Sequence, residues 1–167
     1  MIQHPPAHTG EFAPLYTTKT TSPFFSGTMP LPPSTNEAYR PICINGVYRI
    51  GPTAELELFK AAAAWKLTEA YCDWHTLDAL RASKRKVPLA IELKAYFRTP
   101  WKRDLDGIIK FSIDALFVHL AKSDTSLRPR LNDNQVVDIH PVKLVDSTDP
   151  RVEISLSVAL QSFQERA

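Results

Sequence analysis

The hydrophobic pattern changes its period several times along the chain, and this alternation is the strongest constraint on the fold. Residues 53–74 and 104–122 repeat apolar side chains at helical spacing, whereas residues 87–97 alternate with a period of two. Two further segments, residues 135–145 and 150–160, have the composition of strands. Helices and strands that alternate in this way are typical of an α/β domain.

The predicted order of elements is hairpin, helix, strand, helix, strand, strand. The hairpin is indicated by Asn45-Gly46 between short apolar runs, because this dipeptide favours a type I′ turn. We therefore predict an α/β fold in which a small mixed β-sheet packs with two main helices. With 167 residues, of which 44% are hydrophobic, the chain suits one domain with one core.

The periodic positions also predict which side chains are buried. Thr53 is expected to cap the first helix, and the basic segment at 77–86 is expected to be a connection. The predicted stripe of the first helix is Leu56, Phe59, Ala63, Leu67, Tyr71 and Trp74. The predicted inner face of the first long strand is Leu89, Ile91, Leu93 and Ala95. The predicted stripe of the second helix is Leu105, Ile108, Ile109, Ile113, Leu116 and Leu120.

Residues 1–28 are rich in Pro, Thr and Ser and show no hydrophobic period. We expect them to form a flexible tail or an arm that orders on a partner. The folded domain is expected to span residues 29–167. The two cysteines, Cys43 and Cys72, suggest no disulfide framework, and the chain has no apolar run long enough to cross a membrane. A cytoplasmic protein is therefore expected.

The basic residues are concentrated in one segment. Residues 81–103 contain eight basic side chains and one acid, which gives a net charge of +7, although the whole chain carries only +2. Such a segment either forms a solvated face or binds a polyanion.

An acidic helix follows this segment directly. Asp106, Lys110 and Asp114 are spaced by four and so share one face of the helix, with Asp104 at its start, and Asp133 precedes the next strand. If the sheet brings Asp133 to Asp104 and Asp106, Coulomb repulsion disfavours the cluster unless a cation neutralises it. Mg²⁺ is the natural occupant, because it prefers carboxylate, water and phosphate oxygens. This arrangement is typical of phosphodiester hydrolysis.

Each of these residues also has a plain structural interpretation. Asp104 could be an N-cap with Asp106 stabilising the helix dipole, Lys110 and Asp114 could form a surface ion pair, and Asp133 could belong to a turn. Only their combination points to a site.

The combination resembles the RusA-type Holliday junction resolvases of bacteria and their phages. "RDLDGIIKFSIDAL" followed by "LNDNQVVDI" is similar to the family's central motif, "LPPSTNEAYR" to its N-terminal loop, and "RVEISL" to its last strand. The similarity extends from about residue 29 to residue 158, in the same order. It implies a RusA-like fold and a homodimer with two active sites that nick opposing strands of four-way or other branched DNA. It also implies a cytoplasmic, nucleoid-associated protein.

The resemblance also assigns roles to residues. It implies that Asp104, Asp106 and Asp133 bind Mg²⁺, with Mn²⁺ as a possible substitute, that Lys110 is required for cleavage, and that Asp114 is a supporting acid. The residues expected to contact DNA are Arg40, Arg98, Lys102, Arg103, Arg128 and Arg130.

Two positions depart from the family pattern. Gly107 stands where the family usually has Asn, and Asn132 stands where a further Asp often precedes the third catalytic one. The first hypothesis is therefore an Mg²⁺-dependent, structure-selective endonuclease. The alternative is a branched-DNA-binding protein of the same fold with weak or absent catalysis, and a third hypothesis is an enzyme that acts on another phosphate ester.

Overall fold

A computed structural model describes residues 16–83, 85–100, 105–122 and 131–163. The strands in this part of the chain are β1 (Tyr16–Thr20), β2 (Phe25–Pro30), β3 (Tyr39–Ile44), β4 (Val47–Pro52), β5 (Tyr71–Cys72), β6 (Leu89–Phe97), β7 (Val136–Val145) and β8 (Arg151–Phe163). The helices are α1 (Thr35–Ala38), α2 (Ala54–Leu67), α3 (Trp74–Ala82) and α4 (Leu105–Lys122), and a single 3-10 turn covers Asp133–Gln135.

The main sheet has six strands and is mixed. Its order is β5-β2-β8-β6-β7, and β1 pairs with the far end of β8. β6 and β7 are parallel, whereas the other pairs in this sheet are antiparallel. The predicted class, an α/β fold with a small mixed sheet, is therefore confirmed.

β6 and α4 form the centre of the core as the periodicity predicts. Leu89, Ile91, Leu93 and Ala95 are all buried on one face of β6. In α4, the buried predicted positions are Ile108, Ile113, Leu116 and Leu120, while Leu105 and Ile109 are partly buried against them. Burial of each such side chain contributes roughly 1.5–3 kcal/mol, so this helix is held firmly on the sheet.

The expectation of a tail is wrong for residues 16–28. β2 pairs along its whole length with β8, and Phe24 and Phe25 are 3% and 1% exposed. The pairing partner lies some 130 residues further along the chain, so no local pattern could reveal it. The domain therefore begins at or before residue 16, and residues 1–15 lie outside the described part of the chain.

The first long helix is shorter than predicted. Thr53 caps α2, since its Oγ1 accepts a hydrogen bond from the Leu56 amide, and the buried positions up to Leu67 are as predicted. The prediction is wrong for Tyr71 and Trp74, which are 63% and 56% exposed.

A new helix begins where a connection was predicted. The Asp73 carboxylate accepts hydrogen bonds from the amides of His75 and Thr76, and this cap starts α3. α3 continues to Ala82, so the segment at 77–86 is only partly a connection. None of the helices in the described part of the chain has both the length and the apolar character needed to span a bilayer.

The hairpin is confirmed. β3 and β4 pair from Tyr39↔Pro52 to Ile44↔Val47, and Asn45 and Gly46 have φ values of 53° and 78°. Both central residues of a type I′ turn require positive φ, which Asn and Gly tolerate best.

The turn between β7 and β8 is held by one carboxylate. Asp146 accepts hydrogen bonds from the backbone and hydroxyl of Thr148 and forms an ion pair with Arg151 at 2.8 Å. These hydrogen bonds and the adjacent guanidinium hold the pKa of the Asp146 carboxyl well below its ordinary value.

A depressed carboxyl pKa makes this turn stabilising above about pH 4, and the stabilisation declines as acid protonates the folded state. We therefore expect Asp146→Asn to be less stable than wild type at pH 7, with a difference that shrinks at pH 3. Urea unfolding of both proteins at the two pH values measures it. An unchanged difference at pH 3 would show that the carboxylate does not act through its charge.

One buried hydroxyl is left without a partner. Ser112 in α4 is fully buried, and within the described residues its Oγ has no hydrogen-bond partner. We expect Ser112→Ala to raise the free energy of unfolding by about 1 kcal/mol, because an unpaired buried hydroxyl is removed and Ala favours helices. Denaturant titration of Ser112→Ala tests this, with Ser157→Ala, a substitution of a buried serine in β8, for comparison. Destabilisation by Ser112→Ala would contradict it.

Candidate active site

The outer face of α4 carries the predicted row of charged side chains. Asp106, Lys110 and Asp114 are all exposed, while Ile108 and Phe111 between them face the core. Successive members of the row are one turn apart, so about 12 Å of helix separates Asp106 from Asp114. The row is therefore free to meet a ligand along two turns.

Asp133 is presented from a well-fixed turn. Asn132 accepts a hydrogen bond from the Asn134 amide, and the buried Gln135 donates one to the Val87 carbonyl at 3.1 Å. These bonds tie the turn to the start of β6, with Leu131 buried beside it. The Asp133 side chain itself is exposed. Asn132, the departure from the family pattern, thus has a capping role.

Electrostatics connect this turn to the helix. Partial burial raises the pKa of the Asp114 carboxyl above its ordinary value, and the charge of Asp133 raises it further. Lys110 and Lys60 oppose this rise. Asp133 is therefore close enough to α4 for its charge to act on Asp114, two turns beyond Asp106.

The structure brings some predicted residues together and leaves others untested. The Asp133 turn packs against α4, and Asp106, Lys110 and Asp114 form one row on that helix. Asp104, Lys102, Arg103, Arg128 and Arg130 lie outside the described residues. Within the described ranges, no group of three His, Cys, Asp or Glu side chains is gathered as metal ligands. The three-aspartate metal site stays a prediction, because one of its members is Asp104.

The described donors nevertheless have the chemistry that Mg²⁺ needs. Asp106, Asp114 and Asp133 offer carboxylate oxygens, which are the hard ligands preferred by this ion. All three are carboxylates, so the donor set favours magnesium or manganese over zinc, which prefers histidine and cysteine ligands.

The described residues of the basic segment do not form one surface. Arg81 donates to the Leu120 carbonyl at 2.9 Å and so fastens α3 to the end of α4. Lys94 pairs with Glu92 at 3.1 Å on β6. Arg98 is exposed just after β6. Because β6 and β7 are parallel, Arg98 lies at the opposite end of β6 from Asp133, about 26 Å away along the strand.

Other cations lie closer to Asp133. Arg85 and Lys86 are exposed immediately before Val87, the residue that anchors the Asp133 turn. Arg40 is exposed on β3. Phosphate contacts near Asp133 are thus available from the start of β6, whereas Arg98 follows its other end.

A groove between α2 and α4 opens beside Asp114. It has a volume of about 380 Å³, and its lining includes Tyr39, Phe59, Lys60, Phe111 and Asp114. Lys60, which also pairs with Glu57 at 2.8 Å, was not singled out by the sequence. Its proximity to Asp114 depends on how two helices pack, and no local pattern indicates that.

The start of α4 is packed unusually tightly. Gly107 is buried, and a Cβ placed on it would overlap the Oγ1 of Thr35 and lie 3.3 Å from the Thr35 amide nitrogen. The "PPST" segment therefore lies directly against the first turn of α4. Gly107, which has no Cβ, fits this contact without displacing Thr35.

A comparison with known protein families finds no matching model, and a comparison with curated proteins finds no match. The likeness to RusA-type resolvases thus depends on the motifs and their order.

Proposed function

We propose that this protein is an Mg²⁺-dependent, structure-selective DNA endonuclease that resolves four-way junctions by paired nicks. The observation that carries the proposal is that the Asp133 turn packs against α4, the helix that bears the row formed by Asp106, Lys110 and Asp114. Carboxylates gathered with only partial compensation by lysines are typical of a site that is completed by a cation. Their order along the chain also matches the RusA-type motif.

The residues have distinct parts in this proposal. Asp106 and Asp133, together with Asp104, would hold Mg²⁺, which when bound supplies charge stabilisation at a scissile phosphate. Lys110 lies on the same helix face, where it would hold a phosphate oxygen and stabilise the negative charge that develops there. Asp114, one turn further on, would help to position Lys110 by its charge.

Binding without cleavage is the second candidate. It is favoured by one observation: within the described residues the acids do not form a group of three. In that case the arginines and lysines would bind branched DNA through salt-sensitive phosphate contacts.

The experiment that tests the function is competition for cleavage of a labelled four-way junction in Mg²⁺. Unlabelled junction should compete at far lower concentrations than linear duplex of the same sequence, and mononucleotides should not compete. Equal competition by mononucleotides would indicate an enzyme for another phosphate ester. Tight junction binding without cleavage in Mg²⁺ or Mn²⁺ would favour the second candidate.

A homodimer is part of the proposal, since paired nicks at a twofold junction require two sites. The outer face of α2 supports it. Leu58 and Trp65 are 69% and 70% exposed there, with alanines at 61–62 between them, so the helix is apolar on both faces. An antiparallel twofold contact places Leu58 of one copy against Trp65 of the other, and Glu55 near Lys66.

Trp65→Glu is therefore expected to convert a dimer to a monomer, because the two Leu58–Trp65 contacts would be replaced by two desolvated charges at the twofold contact. Light scattering across a concentration series measures the mass. Trp74→Glu, a change at an exposed tryptophan of α3, is the matched control and should leave the dimer intact. A Trp65→Glu protein with the wild-type mass would exclude this surface.

A further inference from the structure

The β3–β4 hairpin has one face made entirely of exposed apolar side chains. Tyr48 and Ile50 are 81% and 79% exposed, more than any other large apolar residue in the described ranges. The register pairs Tyr48 with Cys43 and Ile50 with Pro41, so these four side chains share one face of the ribbon. Exposed apolar surface of this kind marks a binding site.

The opposite face carries all the charge of the ribbon, beside the apolar Ile42, Ile44 and Val47. Arg40 and Arg49 are both exposed and occupy the other side of the ribbon, since their register partners are Gly51 and Ile42. From residue 38 to residue 54 the chain has these two arginines and no acid. A ribbon with charge of one sign only complements a polyanion, and a two-stranded ribbon has the width to enter a DNA groove.

The base of the hairpin is fixed beside the candidate active site. The Tyr39 ring lies 6.0 Å from the ring of Phe111, the neighbour of Lys110 in α4. Thr53 closes the base by donating its amide to the Ala38 carbonyl at 2.9 Å and its hydroxyl to the Glu37 carbonyl at 2.7 Å. Tyr39 also lines the groove that contains Asp114, so the root of the hairpin adjoins the row of charged side chains on α4.

We propose that the hairpin recognises the branch point of DNA, with Tyr48 and Ile50 packing on the base pairs exposed there and Arg40 and Arg49 contacting the flanking phosphates. This inference rests on the proposed function and identifies the element that selects branched over linear substrate. Base pairs at a branch are available for apolar contact, whereas insertion into a continuous duplex first requires unstacking.

The test is equilibrium binding of the full chain in EDTA, so that cleavage does not enter. The doubly substituted Tyr48→Ala/Ile50→Ser protein should bind a four-way junction at least about tenfold more weakly, and should bind linear duplex within about twofold of wild type. Arg40→Gln/Arg49→Gln should weaken both complexes and lower the salt slope by about 2. Val145→Ser, at an exposed position on β7, is the control and should change neither.

A label on the hairpin identifies what covers it. Cys43 is exposed on the apolar face, whereas burial raises the pKa of the Cys72 thiol, so a maleimide dye at neutral pH reacts first with Cys43. A Cys72→Ser background removes the second thiol. The dye's emission should change on adding four-way junction and should change less with linear duplex.

Three results would overturn the proposal. The first is a Tyr48→Ala/Ile50→Ser protein that discriminates junction from duplex as well as wild type does. The second is a Cys43–Cys43 cross-link between copies that forms without DNA, which would make the face a protein contact. The third is a dye signal that changes on deletion of residues 1–15 and not with DNA. Loss of cleavage with intact hairpin-dependent binding would instead overturn only the proposed function.

Discussion

Asp106→Asn and Asp133→Asn are each expected to lower the rate of junction cleavage by at least about a hundredfold while junction binding stays within a few-fold of wild type. The amide keeps the shape of the side chain but removes the negative charge that a hard cation requires. Binding is retained because it depends on phosphate contacts from arginine and lysine. Single-turnover cleavage and equilibrium binding in EDTA, with the same labelled junction, measure the two effects separately.

Asp78→Asn is the matched control, because it is the same chemical change at an exposed position of α3. It should cleave at the wild-type rate. If Asp133→Asn also cleaved at that rate, Asp133 would be only a turn residue. If it lost binding together with cleavage, the substitution would have damaged the DNA-contacting surface and the assignment of Asp133 to catalysis would be wrong.

Gly107→Asn is expected to lower the free energy of unfolding by about 2 kcal/mol, even though helix propensity alone predicts a gain of up to about 1 kcal/mol. The opposing effect is steric, because the new Cβ would overlap the Thr35 hydroxyl and crowd its backbone. The displaced "PPST" segment would also move the root of the hairpin. Cleavage is therefore expected to fall together with stability.

A double-mutant cycle separates the steric overlap with Thr35 from other effects of replacing Gly107. Gly107→Ala should destabilise the wild-type background, and should do so by less in a Thr35→Ala background, since that change removes the overlapping hydroxyl. Urea unfolding gives all four stabilities. Additive effects of the two substitutions would show that Thr35 does not restrict position 107.

The elements that could be predicted from the sequence are those fixed by local patterns. β6 and α4 carry strong periods of two and about four, and Asn45-Gly46 specifies its turn by the φ values that it tolerates. The strands before residue 29 depend on pairing with β8, more than 100 residues away. The break after Leu67 accompanies the pairing of Tyr71 and Cys72 with β2, and the next helix starts at the Asp73 cap, in a segment that otherwise continues a helical period.

The residues of the candidate site also differ in whether a local sequence pattern could predict their positions. The spacing of Asp106, Lys110 and Asp114 predicted their common face, since that follows from helix geometry alone. The position of Asp133 could only be stated as a condition on the sheet, and the structure places its charge near Asp114. Lys60 was missed because its place in the site depends on helix packing. The engagement of Arg81 with α4 was missed for the same reason.

The most direct test of the central claim is to map the nicks that the wild-type protein makes on all four strands of a mobile four-way junction, in Mg²⁺ and in EDTA. We expect paired nicks at symmetric positions on two opposing strands, only when Mg²⁺ is present. Nicks that persist in EDTA, or intact strands in both Mg²⁺ and Mn²⁺ although the junction is bound, would contradict it.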